Sequence, residues 1–114
     1  MNQRRKGHNY ERQICREFKD LGYDAKTTRQ ESHTLDSLGV DVLVNAPYHI
    51  QCKSTSQTFN YSKFYVDYNA LDKPIIIFHK QTKKANMNFV SQGEYVIMPK
   101  ELFYFLIKKH ETNK

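Results

Sequence analysis

The sequence contains only two cysteines, and they do not form a metal-binding pattern. Cys15 and Cys52 stand far apart, outside any CxxC pair or Cys/His cluster with zinc spacing. This excludes a cysteine-based zinc site. We expect both residues to be buried thiols in a reducing compartment.

Long apolar runs are also absent. The longest are PIIIF at 74–78 and LFYFLI at 102–107, far short of the roughly 20 residues that a membrane-spanning helix needs. The N-terminus carries charges without an apolar signal region, and there is no repeat, linker or low-complexity tract. We therefore expect one domain over residues 1–114, in a soluble, cytoplasmic protein with no membrane partner.

Acidic residues are few relative to basic ones. There are 12 Asp and Glu against 18 Lys and Arg, which gives a formal net charge of +6. Basic side chains that neutralise phosphates release condensed counterions, so this charge favours a polyanionic partner. Taken alone, each basic cluster, at 4–6, 80–84 and 108–114, is more often a solvated surface than a binding site.

The spacing of apolar residues predicts an α/β domain. Tyr10, Ile14, Phe18 and Leu21 follow a helical period, which predicts a helix from Asn9 to Leu21 that ends at Gly22. A first strand at 23–29 and a polar loop at 30–39 follow. Further expected elements are strands at 40–44, 48–55, 73–80 and 94–98, a helix at 60–71, a helix at 99–109 and an uncertain strand at 87–90. This order predicts a central mixed β-sheet flanked by helices.

Polar side chains interrupt the two central strands. Val40, Val42 and Val44 alternate on one face, so Asp41 must project from the other. Gln51 and Lys53 likewise leave their strand together. If the two strands are hairpin neighbours, Asp41 can lie beside both, because cross-strand pairs sit within about 5 Å.

A carboxylate, an amide oxygen and an ammonium form a set suited to metal-assisted phosphodiester hydrolysis. Mg²⁺ binds through oxygen, usually one or two carboxylates with waters, and Asp41 and Gln51 offer such oxygens. Lys53 can orient the attacking water or balance charge on the phosphate. The alternatives without a functional role are that Asp41 is an ordinary surface residue, that Gln51 is a surface amide and that Lys53 is a solvated lysine at a strand end.

The segment "GVDVLV…HIQCKS" resembles the PD-(D/E)XK nuclease signature, with Asp41 as the first acid, Gln51 in place of the second and Lys53 as the lysine. The opening "RRKGHNYERQICREFKDLGY" is similar to archaeal-type Holliday-junction resolvases, whose basic segment, glycine and helix-borne glutamate match 4–6, Gly7 and Glu11. That group also has a functional serine in the loop after its first strand. Ser32 is the first candidate for it and Ser37 the second.

The resemblance implies a restriction-endonuclease-like core and a set of roles. The catalytic residues would be Glu11, Asp41, Gln51, Lys53 and Ser32, with Glu11, Asp41 and Gln51 as ligands of Mg²⁺, for which Mn²⁺ can substitute. The residues expected to contact DNA are Arg4, Arg5, Lys6, His8, Arg29, Lys80, Lys83 and Lys84. Two departures from the pattern are Gln51, which replaces an acid, and Val40, which stands where a proline is common.

The leading hypothesis is a metal-dependent, structure-selective DNA endonuclease, a Holliday-junction resolvase that acts as a homodimer. The alternatives are a related nuclease acting on linear or flapped DNA and an inactive DNA-binding module of the same fold. Glu11 also has an ordinary interpretation, because the helix dipole favours glutamate in a first turn. Four aromatic residues have helical spacing, which is typical of core or a dimer face more than of base stacking, and we expect part of this group to lie in the dimer interface: Tyr61, Phe64, Tyr65 and Tyr68.

Overall fold

Helices separate groups of consecutive strands along the chain in the computed structural model, which describes residues 3–28, 38–69 and 71–112. In chain order the elements are α1 (Gln3–Asp20), β1 (Ala25–Thr27), β2 (Val42–Val44), β3 (His49–Thr55), α2 (Tyr61–Asn69), β4 (Ile75–Ala85), β5 (Asn88–Ile97) and α3 (Lys100–Thr112).

The strands form one mixed five-stranded sheet in the order β1-β2-β3-β4-β5. Neighbouring strands are antiparallel except β3 and β4, which run parallel from the pair His49 and Ile75 to the pair Thr55 and Gln81. A parallel pair needs a crossover connection, and α2 provides it. The expected α/β class, with a mixed sheet flanked by helices, is confirmed.

The apolar stripe of α1 packs on the sheet and forms the main core. Tyr10, Ile14 and Phe18 are buried there, as their spacing predicts. Cys15 and Cys52 are both buried and free, in agreement with the prediction of buried thiols. The other members of this cluster are Ala25, Val42, Tyr48, Ile50, Ile76 and Leu102, the last from α3. The helices α1 and α3 therefore cover the same face of the sheet.

Gly22 ends α1 as predicted. Its φ of 100° lies in the left-handed region, where a side chain is strained. The Gly22 N–H donates to the Lys19 carbonyl and the Tyr23 N–H to the Phe18 carbonyl, the two bonds of a Schellman cap. This cap turns the chain sharply from the helix into β1.

Several boundaries differ from those predicted. The helix α1 begins at Gln3 rather than Asn9, and β1 is shorter than the predicted strand. The predicted strand at 94–98 and the uncertain one at 87–90 are a single strand, β5, which forms a long hairpin with β4. Most of β5 is exposed, so its sequence shows no alternation of apolar and polar residues from which its length could be predicted.

Within the described ranges, no helix is long and apolar enough to cross a membrane.

Candidate functional site

Asp41 is held by the backbone of β3. Its N–H donates to the Ile50 carbonyl at 2.8 Å, next to the antiparallel pair formed by Val42 and Ile50. Its carboxylate Oδ2 accepts the N–H of Cys52, also at 2.8 Å. The prediction that the Asp41 and Gln51 segments are hairpin neighbours is confirmed. The carboxylate is thus fixed on the stretch of β3 from which Gln51 and Lys53 project.

Gln51 packs against a glycine that leaves it room. Gly39 has a φ of 88°, and a Cβ added there would lie 2.7 Å from Gln51 Nε2. The amide nitrogen therefore faces Gly39, and the side-chain oxygen is directed away from it. A residue larger than glycine at position 39 would displace the Gln51 amide.

Lys53 lies on the same face of β3, in a small cleft under α2. The cleft is lined by Gln51, Lys53, Phe59, Asn60, Lys63, Phe64 and Ile77. Parallel register places Ile77 opposite Gln51 and His79 opposite Lys53. We call this surface, formed by Gln51, Lys53, Ile77 and His79, the site face of the sheet.

Glu11 approaches β3 from the opposite face. It is 8% exposed on α1. Burial raises the pKa of the Cys52 thiol, and the charges of Asp41 and then Glu11 raise it further, so both carboxylates lie near this thiol. Because α1 begins at Gln3, Glu11 sits in the middle of the helix, where the helix dipole does not explain it.

The oxygen donors fit a hard divalent cation held partly by solvent or substrate. Asp41 and Gln51 offer a carboxylate and an amide oxygen on neighbouring strands, whereas the Glu11 carboxylate lies on the opposite face of β3, near the Cys52 thiol. Among the described residues, no three His, Cys, Asp or Glu side chains form a group that could hold a metal ion. Mg²⁺ is commonly bound by one or two carboxylates plus waters and phosphate oxygens, so this donor set suits it better than a closed protein cage would.

The expected DNA contacts are distributed unevenly. His8 is half-buried on α1, and Lys83 and Lys84 are exposed near the end of β4. Lys80 lies on the face opposite Lys53, with its ammonium 6.0 Å from the centre of the Tyr10 ring. Ser32, Ser37 and Arg29 lie outside the described residues. So do the side chains of Arg4, Arg5 and Lys6, whose backbone belongs to α1.

A basic groove runs between α1 and β1. Its charged lining consists of Arg12, Arg16 and Lys19 from the helix and Lys26 from the strand. We call it the α1–β1 groove. It was not among the DNA-binding residues inferred from sequence. The sequence does show that the basic residues at positions 12, 16 and 19 fall on one helical face. That Lys26 lies beside them becomes evident only from the packing of β1 on α1.

His79 is a second residue that the sequence did not single out. It is 5% exposed, and its Nε2 has no hydrogen-bond partner in the described part of the chain. A buried polar group without a partner costs about 1–3 kcal/mol. Burial and then the Lys53 charge lower the pKa of His79 below its ordinary 6.5, so the ring is neutral at pH 7.

Comparison with family models, with curated proteins and with solved structures finds no match to this chain.

We expect Gly39→Ala to disturb the Gln51 side chain, whereas Gly22→Ala does not. Both glycines have positive φ, so either change should cost about 1–2 kcal/mol of unfolding free energy through backbone strain. Only at Gly39 does the new Cβ meet a side chain, since nothing lies within 4 Å of one at Gly22. Urea unfolding measures the first effect, and the NMR resonances of the Gln51 amide group measure the second.

Equal shifts of the Gln51 amide resonances in the two variants would contradict the packing of Gln51 on Gly39. The resonances can be assigned by their loss in a Gln51→Glu variant.

Proposed function

We propose that this protein is a Mg²⁺-dependent DNA endonuclease of the PD-(D/E)XK type, acting on branched DNA such as a four-way junction. One observation carries the proposal. The Asp41 carboxylate is bonded to the backbone of the strand from which Gln51 and Lys53 project. An acid, an oxygen ligand and a cation are thereby held together at one end of a short strand pair.

The order of elements supports the same proposal. A helix, three antiparallel strands, a crossover helix and a parallel fourth strand form the arrangement that a restriction-endonuclease-like core would have. The acid immediately precedes the second strand, and the Gln-x-Lys segment lies within the third. The buried Glu11 offers a second carboxylate from the opposite face of β3, near the Cys52 thiol.

Each residue has a distinct role in the proposed reaction. Asp41, Gln51 and Glu11 would hold Mg²⁺, which when bound supplies Lewis-acid polarisation of the scissile phosphate and a more acidic water. Lys53 orients the attacking water and stabilises charge on the phosphate. Its place in the cleft under α2 limits the directions that the ammonium can take.

Gln51 supports a second candidate function, that of an inactive DNA-binding protein of the same fold. The amide carries one negative charge fewer than the acid it replaces, which weakens attraction for a cation. The same geometry also serves a nuclease that cuts linear or flapped DNA, because the substrate's shape is read outside the site.

We expect Asp41→Asn to abolish cleavage and leave DNA binding largely intact. A cation contributes several kcal/mol to the transition state, so the rate should fall at least about 100-fold. The asparagine oxygen can still accept the Cys52 N–H, which preserves the fold. The measurement uses Mg²⁺ with an end-labelled four-way junction and a linear duplex of the same arm sequence.

Paired symmetric nicks confined to the junction would support a resolvase, and cleavage of both substrates would support the more general nuclease. Junction binding without cleavage by the wild-type protein would overturn the enzyme proposal.

A Gln51→Glu variant should retain or increase Mg²⁺-dependent activity if position 51 supplies a ligand.

The α1–β1 groove is the proposed path of one DNA backbone. Its four cations come from a helix and a strand that pack against each other, and Arg12 directly follows Glu11 on α1. A phosphate backbone in this groove would therefore pass the turn of α1 that carries Glu11. Contacts of this kind position DNA without reading its bases.

The salt dependence of binding tests this path. The logarithm of affinity should fall linearly with the logarithm of salt concentration, by about 0.9 per phosphate neutralised. We expect Arg16→Gln with Lys19→Gln to make the slope shallower by about 2. The control pair, Lys100→Gln with Lys109→Gln, removes the same charge from α3 and should change the slope little. Equal effects of the two pairs would mean that net charge alone attracts DNA.

A homodimer is part of the proposal, because symmetric cleavage of two strands needs two sites and the chain carries one. The strand β5 is an edge of the sheet and contains a single charged residue, Glu94, with no lysine or proline of the kind that usually protects an edge. It and α3 also carry large exposed apolar side chains: Phe89, Val90, Tyr95, Val96, Phe103, Tyr104, Phe105 and Ile107. A second copy of the chain, paired along β5, would cover this β5–α3 surface.

The aromatic group on α2 is divided between the cleft and the surface. Phe64 lines the cleft beside Lys53, while Tyr61 and Tyr65 are exposed. The side chain of Tyr68 lies outside the described residues. We prefer the β5–α3 surface as the interface, because it combines exposed apolar side chains with an unprotected sheet edge.

We expect Val96→Lys to dissociate the dimer and Tyr65→Lys to leave it intact. Both residues are well exposed in the single chain, so neither change should disturb the fold. A lysine at the centre of an apolar, two-fold interface meets its own copy and is repelled. Sedimentation equilibrium over a range of concentrations measures the association. Dissociation by Tyr65→Lys alone would assign the interface to α2, and a monomeric wild-type protein would overturn the dimer.

A further inference from the structure

His79 occupies a buried position in β4 that an apolar side chain could fill. On the same face of the strand, Ile75 and Ile77 are almost completely buried. His79 continues that row at 5% exposure, and its ring lies 5.9 Å from the ring of Phe59. An apolar side chain would fill the position without leaving a buried nitrogen unpaired within the described residues.

The neighbour of His79 across the sheet is Lys53. The two residues are partners in the parallel register of β3 and β4, and they share the site face. Adjacent strands lie about 4.8 Å apart, which is well within the reach of a lysine side chain. The Lys53 charge acts on the imidazole strongly enough to lower its pKa, in addition to the effect of burial.

A neutral imidazole offers one donor and one acceptor, and an ammonium offers only donors. The unpaired Nε2 can therefore accept a hydrogen bond from Lys53 when the ring carries its proton on Nδ1. Such a bond leaves the charge of Lys53 unchanged and fixes the direction of its ammonium. Water has little access to compete for this bond, because His79 is almost completely buried and its ring packs near that of Phe59.

We propose that His79 is a positioning residue of the cleavage site, which accepts a hydrogen bond from Lys53 and directs its ammonium toward the scissile phosphate. This inference rests on the proposed nuclease function. It assigns His79 no contact with the substrate and no proton transfer. It explains why a histidine stands in a row of buried isoleucines.

Two substitutions separate positioning from packing. His79→Phe keeps a ring of similar size and removes the nitrogen, and His79→Gln places a polar group near the position of Nε2. In single-turnover junction cleavage, we expect His79→Phe to lower the rate constant about 10- to 100-fold with unchanged DNA affinity. His79→Gln should retain most of the wild-type rate. His79→Phe should resist urea about as well as the wild-type protein, because it keeps a ring of similar size in the buried row.

The dependence on Lys53 supplies the sharper test. In a Lys53→Met background, His79→Phe should cause no further loss of rate, because a residue that acts through Lys53 has nothing left to position. The ¹⁵N resonance of His79 Nε2 should also shift when Lys53 is changed to Met, and this readout needs no activity.

The outcomes distinguish this inference from the proposed function. A wild-type protein that cleaves DNA and is unaffected by His79→Phe overturns the role of His79 alone. Additive losses of rate in the double variant would also overturn the role of His79. So would an Nε2 resonance that does not shift when Lys53 is changed to Met. A wild-type protein that cleaves no substrate overturns the nuclease function and this inference with it.

Discussion

The short antiparallel pairing between β2 and β3 is the constraint on which the site depends. Side chains alternate across a strand, so the pairing of Val42 with Ile50 decides which residues face the core and which face away. A shift of one residue would bury Asp41 and expose the valines. The bond from the Cys52 N–H to the Asp41 carboxylate holds this register at the end of the pair, where the ladder stops. Core packing and site geometry therefore have the same origin.

The parallel strand β4 adds to the site residues that are distant in the sequence. Its register aligns Ile77 with Gln51 and His79 with Lys53, so one row of side chains crosses both strands. The helix α2, required as the crossover between them, closes over this row with Phe64, and Phe59 joins it from the segment before the helix. The opposite face is used differently, since α1 and α3 seal the main core there. The Glu11 carboxylate on α1 approaches the Cys52 thiol from that side.

Much of this arrangement could be predicted from local patterns. Period-two alternation around Asp41 and in the segment 49–55 was enough to place Asp41, Gln51 and Lys53 on one side of a hairpin. Contacts between distant segments could not be read in this way. The packing of Gly39 on Gln51 and the position of Lys26 beside the α1 cations depend on tertiary structure. The role suggested for His79 depends on a parallel register that a sequence does not specify. The length of β5 was missed because most of its side chains are exposed and show no alternation.

The mixed topology also bears on how the chain folds. The hairpin of β4 and β5 turns at Asn86, whose φ of 58° suits the tight turn, and its pairs are close in sequence. The ladder between β3 and β4 instead joins segments that begin at residues 49 and 75, with α2 between them. Contacts separated by long stretches of chain close slowly, because the entropy of ordering the intervening loop is lost before the contacts form. The β4–β5 hairpin should therefore form early, and Lys53 and His79 should meet only when the sheet is completed.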